Sequence, residues 1–180
     1  MLKRMTEASP RLTARIAGLF YLVTFVTGAY ALFVGGRLGF AANLIATASY
    51  LAVTRLFYDI FKPVNRSLSL LAAFVSVAGL ANGALSMVHI VPAYINTLVF
   101  FGVYCLLIGY LILKSTFLPH SLGALMAFGG LGWLTFLSPA LAKYLSPYNF
   151  APGMIGEGAL TVWLLVKGVN EPRWQEQARG

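Results

Sequence analysis

The chain has 180 residues, 59% of them hydrophobic and 10% charged, where soluble domains carry about 25% charged residues. At a mean hydropathy of +0.79 a water-facing surface cannot be covered, and the gaps between apolar runs are too short for a separate extramembrane domain. The net charge of +8 does not point to nucleic acid, because the basic residues lie between apolar runs rather than in a patch with interleaved aromatics; their natural partner is the anionic face of a lipid bilayer.

Six runs have the length of a crossing, taking ~17–25 residues as the range. They predict a single all-α domain, 1–180: a polytopic membrane bundle of six transmembrane helices joined by short loops. The first, 11–34, follows Lys3, Arg4, Arg11 and Arg15 and carries an Ala29-x-Ala31 pattern like a cleavage site. Its apolar stretch is too long for a cleaved signal, so it reads as a retained helix. The second, 41–61, follows Gly35-Gly36, and the third, 67–91, follows Pro63 and Asn65. The fourth, 95–113, follows Pro92, and the fifth, 121–142, follows Pro119. The sixth, 152–169, opens on Pro152, where a missing N–H costs nothing.

Lysine and arginine placement sets the orientation. With both termini inside (N-in/C-in), the cytoplasmic face collects Lys3, Arg4, Arg11, Arg15, Arg55, Lys62, Arg66, Lys114, Lys167, Arg173 and Arg179. The outer face keeps Arg37 and Lys143. Such a split requires an even number of crossings.

Glu157 is the costly residue. A carboxyl inside an apolar run costs roughly 2.5 kcal/mol or more unless a proton, a hydrogen-bond partner, a cation or a ligand offsets it. Lying five residues after Pro152, it falls in the outer half of the sixth helix, with Thr161 one turn deeper on the same face. Asn82, Ser86 and His89 share a face of the third helix, and Asn43 and Asn96 lie near the outer starts of the second and fourth. These residues predict an outward-facing polar pocket: Asn43, Asn82, Ser86, Asn96 and Thr161 for a ligand, with Glu157 and His89 as the acid/base pair of any catalysis. The bland alternatives are a hydrogen-bonded structural glutamate, a hydrated histidine, interhelical contacts for Asn82 and Ser86, and helix caps for the other asparagines. Arg55 and Asp59, four residues apart on the second helix, read as a structural ion pair. Small-residue spacings at Ala14/Gly18, Gly79/Gly83 and Gly123/Ala127/Gly130 read as packing inside the bundle, and Trp133, Trp163 and Trp174 as anchors or packing residues.

No metal-ligand spacing, phosphate-binding glycine loop or nucleophile elbow is present, so no metal and no cofactor is expected. The lone Cys105 allows no intramolecular disulfide.

Four stretches in order resemble the DUF4386 family of small bacterial integral membrane proteins of unknown function. They are 14–22, 62–68, 117–123, and Gly156-Glu157 with 163–169. His120 stands where an arginine is common in that family. The resemblance implies a bacterial inner-membrane, multi-pass protein with cytoplasmic termini, but carries no catalytic residues. Two functions remain. One is a bundle binding a lipophilic small molecule, or an accessory or transport subunit, alone or as a homo-oligomer. The other is a membrane-embedded enzyme of isomerase, cyclase or hydrolase type using Glu157, with His89 or Asp59, on a lipophilic substrate.

Overall fold

The computed structural model describes residues 9–87 and 96–180, and these are helical with no strand among them. Helix α1 spans Pro10–Phe33, with Ser9 capping it and Pro10 at its first position. The tight reversal after it places Gly36 at φ 68, a left-handed conformation that glycine adopts at little cost, and α2 runs Gly36–Phe61. Helix α3 (Arg66–Met87) starts where Asn65 Oδ1 accepts the Leu68 N–H at 2.9 Å, and α4 (Thr97–Lys114) where Asn96 accepts that of Leu98. Then follow α5 (His120–Leu134), α6 (Pro139–Leu145), α7 (Ala151–Val166) and α8 (Glu171–Gln177).

Several boundaries differ from the hydropathy reading. The run 41–61 begins five residues early, because Gly36 itself opens α2. The run 121–142 is not one helix. It stops at Leu134, makes a 3₁₀ turn over Thr135–Leu137, and restarts at Pro139 with Ser138 as cap. Pro139 has no N–H to donate and its ring displaces the preceding turn, so a continuous helix is broken there. The run 152–169 ends at Val166, leaving α7 with 16 residues. Residues 88–95, where the third and fourth runs were expected to end and begin, lie outside those described. Among the described residues, five helices are long and apolar enough to cross a membrane: α1 to α4, and α5 with its 3₁₀ turn.

The helices close into a ring. Each packs against two neighbours in the order α1, α2, α3, α4, α5, α7 and back to α1. Small residues set the closest approaches. A Cβ on Gly123 would lie 2.7 Å from the Gly109 carbonyl oxygen, and one on Gly130 would lie 2.8 Å from that of Gly102, which locks α4 to α5. A Cβ on Gly18 would meet the Leu165 nitrogen at 2.9 Å, and one on Gly79 the Phe100 Cβ at 2.7 Å. These small residues therefore serve contacts within the ring, where close backbone approach gains dispersion and weak polar contacts.

One end of the ring, the terminal face, holds the start of α1, the α2–α3 and α4–α5 links and the end of α7. Helix α8 lies against it. Trp174 Nε1 donates to the Ile60 carbonyl at 2.8 Å, and Gln177 accepts the Thr116 N–H at 3.0 Å. Arg11 and Arg15 donate to the carbonyls of Lys167 (3.3 Å) and Val166 (3.1 Å). They satisfy the last, otherwise unpaired carbonyls of α7 and place positive charge at its negative end.

Candidate functional site

Glu157 points into the ring and is 6% exposed. Its two carboxyl oxygens accept hydrogen bonds from two other helices: the Tyr21 hydroxyl of α1 and the Trp133 Nε1 of α5, each at 2.5 Å. The buried Cys105 thiol of α4 lies against the same carboxyl. Thr161, one turn on, is also buried and turns its hydroxyl back to the Glu157 backbone carbonyl at 2.8 Å. A buried carboxyl with donors on both oxygens recovers much of its lost hydration, which is why an apolar core tolerates it.

Glycines make this geometry available. A Cβ on Gly153 would sit 2.2 Å from the Trp133 ring, and one on Gly156 would sit 2.3 Å from the Leu125 carbonyl oxygen. Only bare backbone lets α5 and α7 approach closely enough for the indole to pass over α7 and reach Glu157. Beyond the indole, Phe136 and Phe150 pack on it with ring centroids at 6.4 and 5.6 Å, closing the site toward the face opposite α8.

The polar groups form a layer rather than a mouth. Tyr21, Tyr50, Ser76, Tyr104 and Glu157 each lie about ten residues from the terminal face, about 15 Å at 1.5 Å per residue. That is mid-depth for a hydrocarbon layer of ~30 Å. Tyr50 packs edge-on to Tyr21 at 5.5 Å and to Tyr104 at 5.9 Å. Across the ring, Thr54 and Ser76 hydroxyls are 2.6 Å apart. The hydroxyls of Tyr50 and Tyr104 are buried, the residues being 5% and 1% exposed, and neither makes a well-aligned hydrogen bond among the described residues, although Tyr21 lies beside the first and Thr54 beside the second. A phenol held only by a poorly aligned partner in a dry interior incurs part of the roughly 1–3 kcal/mol that a fully orphaned group would cost.

The residues singled out from sequence separate into different places. Thr161 joins Glu157. Asn82 instead donates to Thr97 Oγ1 at 3.0 Å, joining α3 to α4. Ser86 is half-buried with a hydroxyl that has no partner among the described residues. Asn96 caps α4. Asn43 is half-buried on α2, where its backbone carbonyl accepts from Thr47. His89 lies outside the described residues. Asp59 is held by Arg55 and, at 3.1 Å, by Lys62, at the terminal-face end of α2 and away from the Glu157 layer. Tyr21, Tyr50, Tyr104, Cys105 and Trp133 were not among the residues singled out for the pocket; their aromatic bodies make them resemble packing residues or membrane anchors. Among the described residues no three His, Cys, Asp or Glu side chains cluster as metal ligands would.

The family described as a domain of unknown function (DUF4386) matches residues 83–168, which takes in α4 to α7 with Tyr104, Cys105, Trp133 and Glu157. An uncharacterized protein of Archaeoglobus fulgidus (strain ATCC 49558 / DSM 4304 / JCM 9628 / NBRC 100126 / VC-16) is 31% identical over 120 residues, 62% of this chain and 72% of that protein. The chain belongs to the DUF4386 family. No solved structure matches it. Within this DUF4386 protein, Tyr21 and Tyr50 lie outside the matched stretch, so the carboxyl and its indole donor come from the family segment while the phenols of α1 and α2 complete the layer.

Proposed function

We propose that this protein is an integral membrane protein of the cell membrane that crosses the bilayer six times, both termini cytoplasmic, and binds a small lipophilic molecule at the Glu157 layer. On this reading the terminal face is cytoplasmic, α7 is the sixth crossing, and the site is reached from the outer side past Trp133, Phe136 and Phe150. The closed ring of six helices and the eleven-to-two split of basic residues support the topology.

One observation carries the binding role: the cluster of Tyr21, Tyr50 and Tyr104 hydroxyls, two of them without a well-aligned hydrogen bond, beside a carboxyl at mid-depth. A structural glutamate needs its own partners, which it has, but not two further buried phenols with poorly aligned ones. A ligand with an apolar body and a polar or cationic head would use them, with the head between Glu157 and the phenols and the rings of Tyr21 and Trp133 around it. The protein then acts as a binding, accessory or transport component.

The test is to purify the protein in mild detergent and identify retained organic molecules by native mass spectrometry. The wild type should carry a near-stoichiometric small molecule, and Glu157→Gln and Tyr50→Phe, still folded by their melting curves, should lose it. An empty wild type, or equal retention in both variants, overturns the reading.

A further inference from the structure

A second feature, at the terminal face, rests on different residues. Between α1, α7 and the start of α8 is an open cleft of about 480 Å³ whose lining includes Arg11, Trp163, Lys167, Asn170 and Glu171. Arg11 and Arg15 each commit donors to a carbonyl of the α7 end, yet both remain exposed, as does Lys167. A guanidinium has five N–H donors, so each keeps donors for an anion. Glu171 is the counter-charge in the lining, and with Arg11, Arg15 and Lys167 the locality stays net positive.

Directly beneath this cationic rim the surface turns apolar. Along α1 the stripe Arg11, Arg15, Leu19, Leu22, Val26 recurs every three or four residues on one face, and its last three members are 53%, 42% and 61% exposed. On α7 the exposed residues Val166, Val162 and Ile155 run the same way. The two helices meet at Gly18, which brings their backbones together and leaves a seam between the stripes. A cationic pocket above paired apolar stripes, with a half-buried tryptophan at the junction, matches a molecule with an anionic head and hydrocarbon tails.

We propose that this cleft binds the headgroup of an anionic phospholipid, its phosphodiester on Arg11, Arg15 and Lys167 and its acyl chains along the α1–α7 seam. The lipid would hold the ends of α1 and α7 together where α8 attaches, and it is distinct from whatever occupies the Glu157 layer.

The experiment titrates the detergent-solubilised protein with phosphatidylglycerol or phosphatidylcholine carrying brominated acyl chains and reads quenching of tryptophan fluorescence. Phosphatidylglycerol should quench at a several-fold lower mole fraction than phosphatidylcholine, and Trp163→Phe should remove most of that selective quenching. Lys167→Gln should bring the two curves together without lowering the melting temperature, because among the described residues the Lys167 side chain makes no hydrogen bond; Arg11→Gln should add to the effect. Coincident curves for the wild type, or an undiminished preference in the Lys167→Gln, Arg11→Gln double variant, would overturn the assignment. Full competition by millimolar inorganic phosphate would also overturn it, by showing a site for a free anion rather than a lipid.

Discussion

The Trp133 indole crosses α7 over Gly153 and donates to Glu157, one helical turn further on. One glycine thus decides whether a donor on α5 can reach a carboxyl on α7. Gly153→Ala places a methyl inside the indole ring, so the ring must move and the hydrogen bond must break. The expected cost is about 1–3 kcal/mol for overpacking, read as a lower melting temperature. Trp133→Phe should recover part of it in the double variant; strictly additive losses would refute the coupling.

Glu157 itself separates size from hydrogen bonding. Glu157→Gln can keep its acceptor oxygen for the Trp133 N–H and donate its amide N–H to the Tyr21 oxygen, which can also accept, and should melt within about 1 kcal/mol of the wild type. Glu157→Leu leaves the Tyr21 and Trp133 donors buried and unpaired, and should cost about 1–3 kcal/mol per orphaned group. Equal melting temperatures for the two variants would show that the hydrogen bonds do not hold α1, α5 and α7 together.

Arg55 and Asp59 do pair, but Lys62 shares the carboxylate and the Arg55 side chain is 67% exposed. Such pairs contribute about 0–1 kcal/mol. Arg55 lies less than two turns from the terminal-face end of α2 and can snorkel to that face when its partner is lost, so Asp59→Asn is expected to shift stability by less than about 1 kcal/mol, as for a water-exposed pair. Thermal unfolding with Arg55→Leu, Asp59→Leu as the comparison checks this, and a loss of several kcal/mol on Asp59→Asn would contradict it.

The topology is open to cysteine labelling. Single cysteines next to Gly36 and Pro147, at Gly35 and the exposed Tyr148, should react with a membrane-impermeant maleimide from outside intact cells, and those at Asn65 and Pro119 only after lysis. The native Cys105 is fully buried and should stay silent. The reverse pattern would invert the bundle.

Much of the fold was legible because apolar length and turn residues are one-dimensional signals. Asn65, Asn96 and Pro119 mark helix starts as their chemistry dictates. The break at Ser138-Pro139 was missed because hydropathy stays high across it, although a serine cap before a proline was there to be read. Glu157 was legible as a cost, but what offsets it was not. Tyr21 is 136 residues away in sequence, and an indole or phenol that donates one hydrogen bond has the same composition signature as one that only packs. The expected partners Asn82 and Ser86 failed on depth: both lie well beyond mid-depth on α3, whereas α7 begins deeper than its neighbours and carries Glu157 to the centre.

On the proposed topology the short α5–α7 pair also shapes the surrounding lipid. Helices α5 and α7 have 15 and 16 residues, about 22–24 Å at 1.5 Å per residue, against a hydrocarbon thickness of ~30 Å. The 3₁₀ turns and α6 between them expose Leu137, Leu141, Tyr144 and Tyr148. Irregular backbone is not tolerated against hydrocarbon, so the leaflet on this flank must thin to meet it, at fractions of a kcal/mol per Å. Helices α1 and α2, with 24 and 26 residues, impose no such dent. A molecule with that topology is lopsided in the plane of the membrane and should drift toward thinner bilayer, or toward neighbours with a matching short flank.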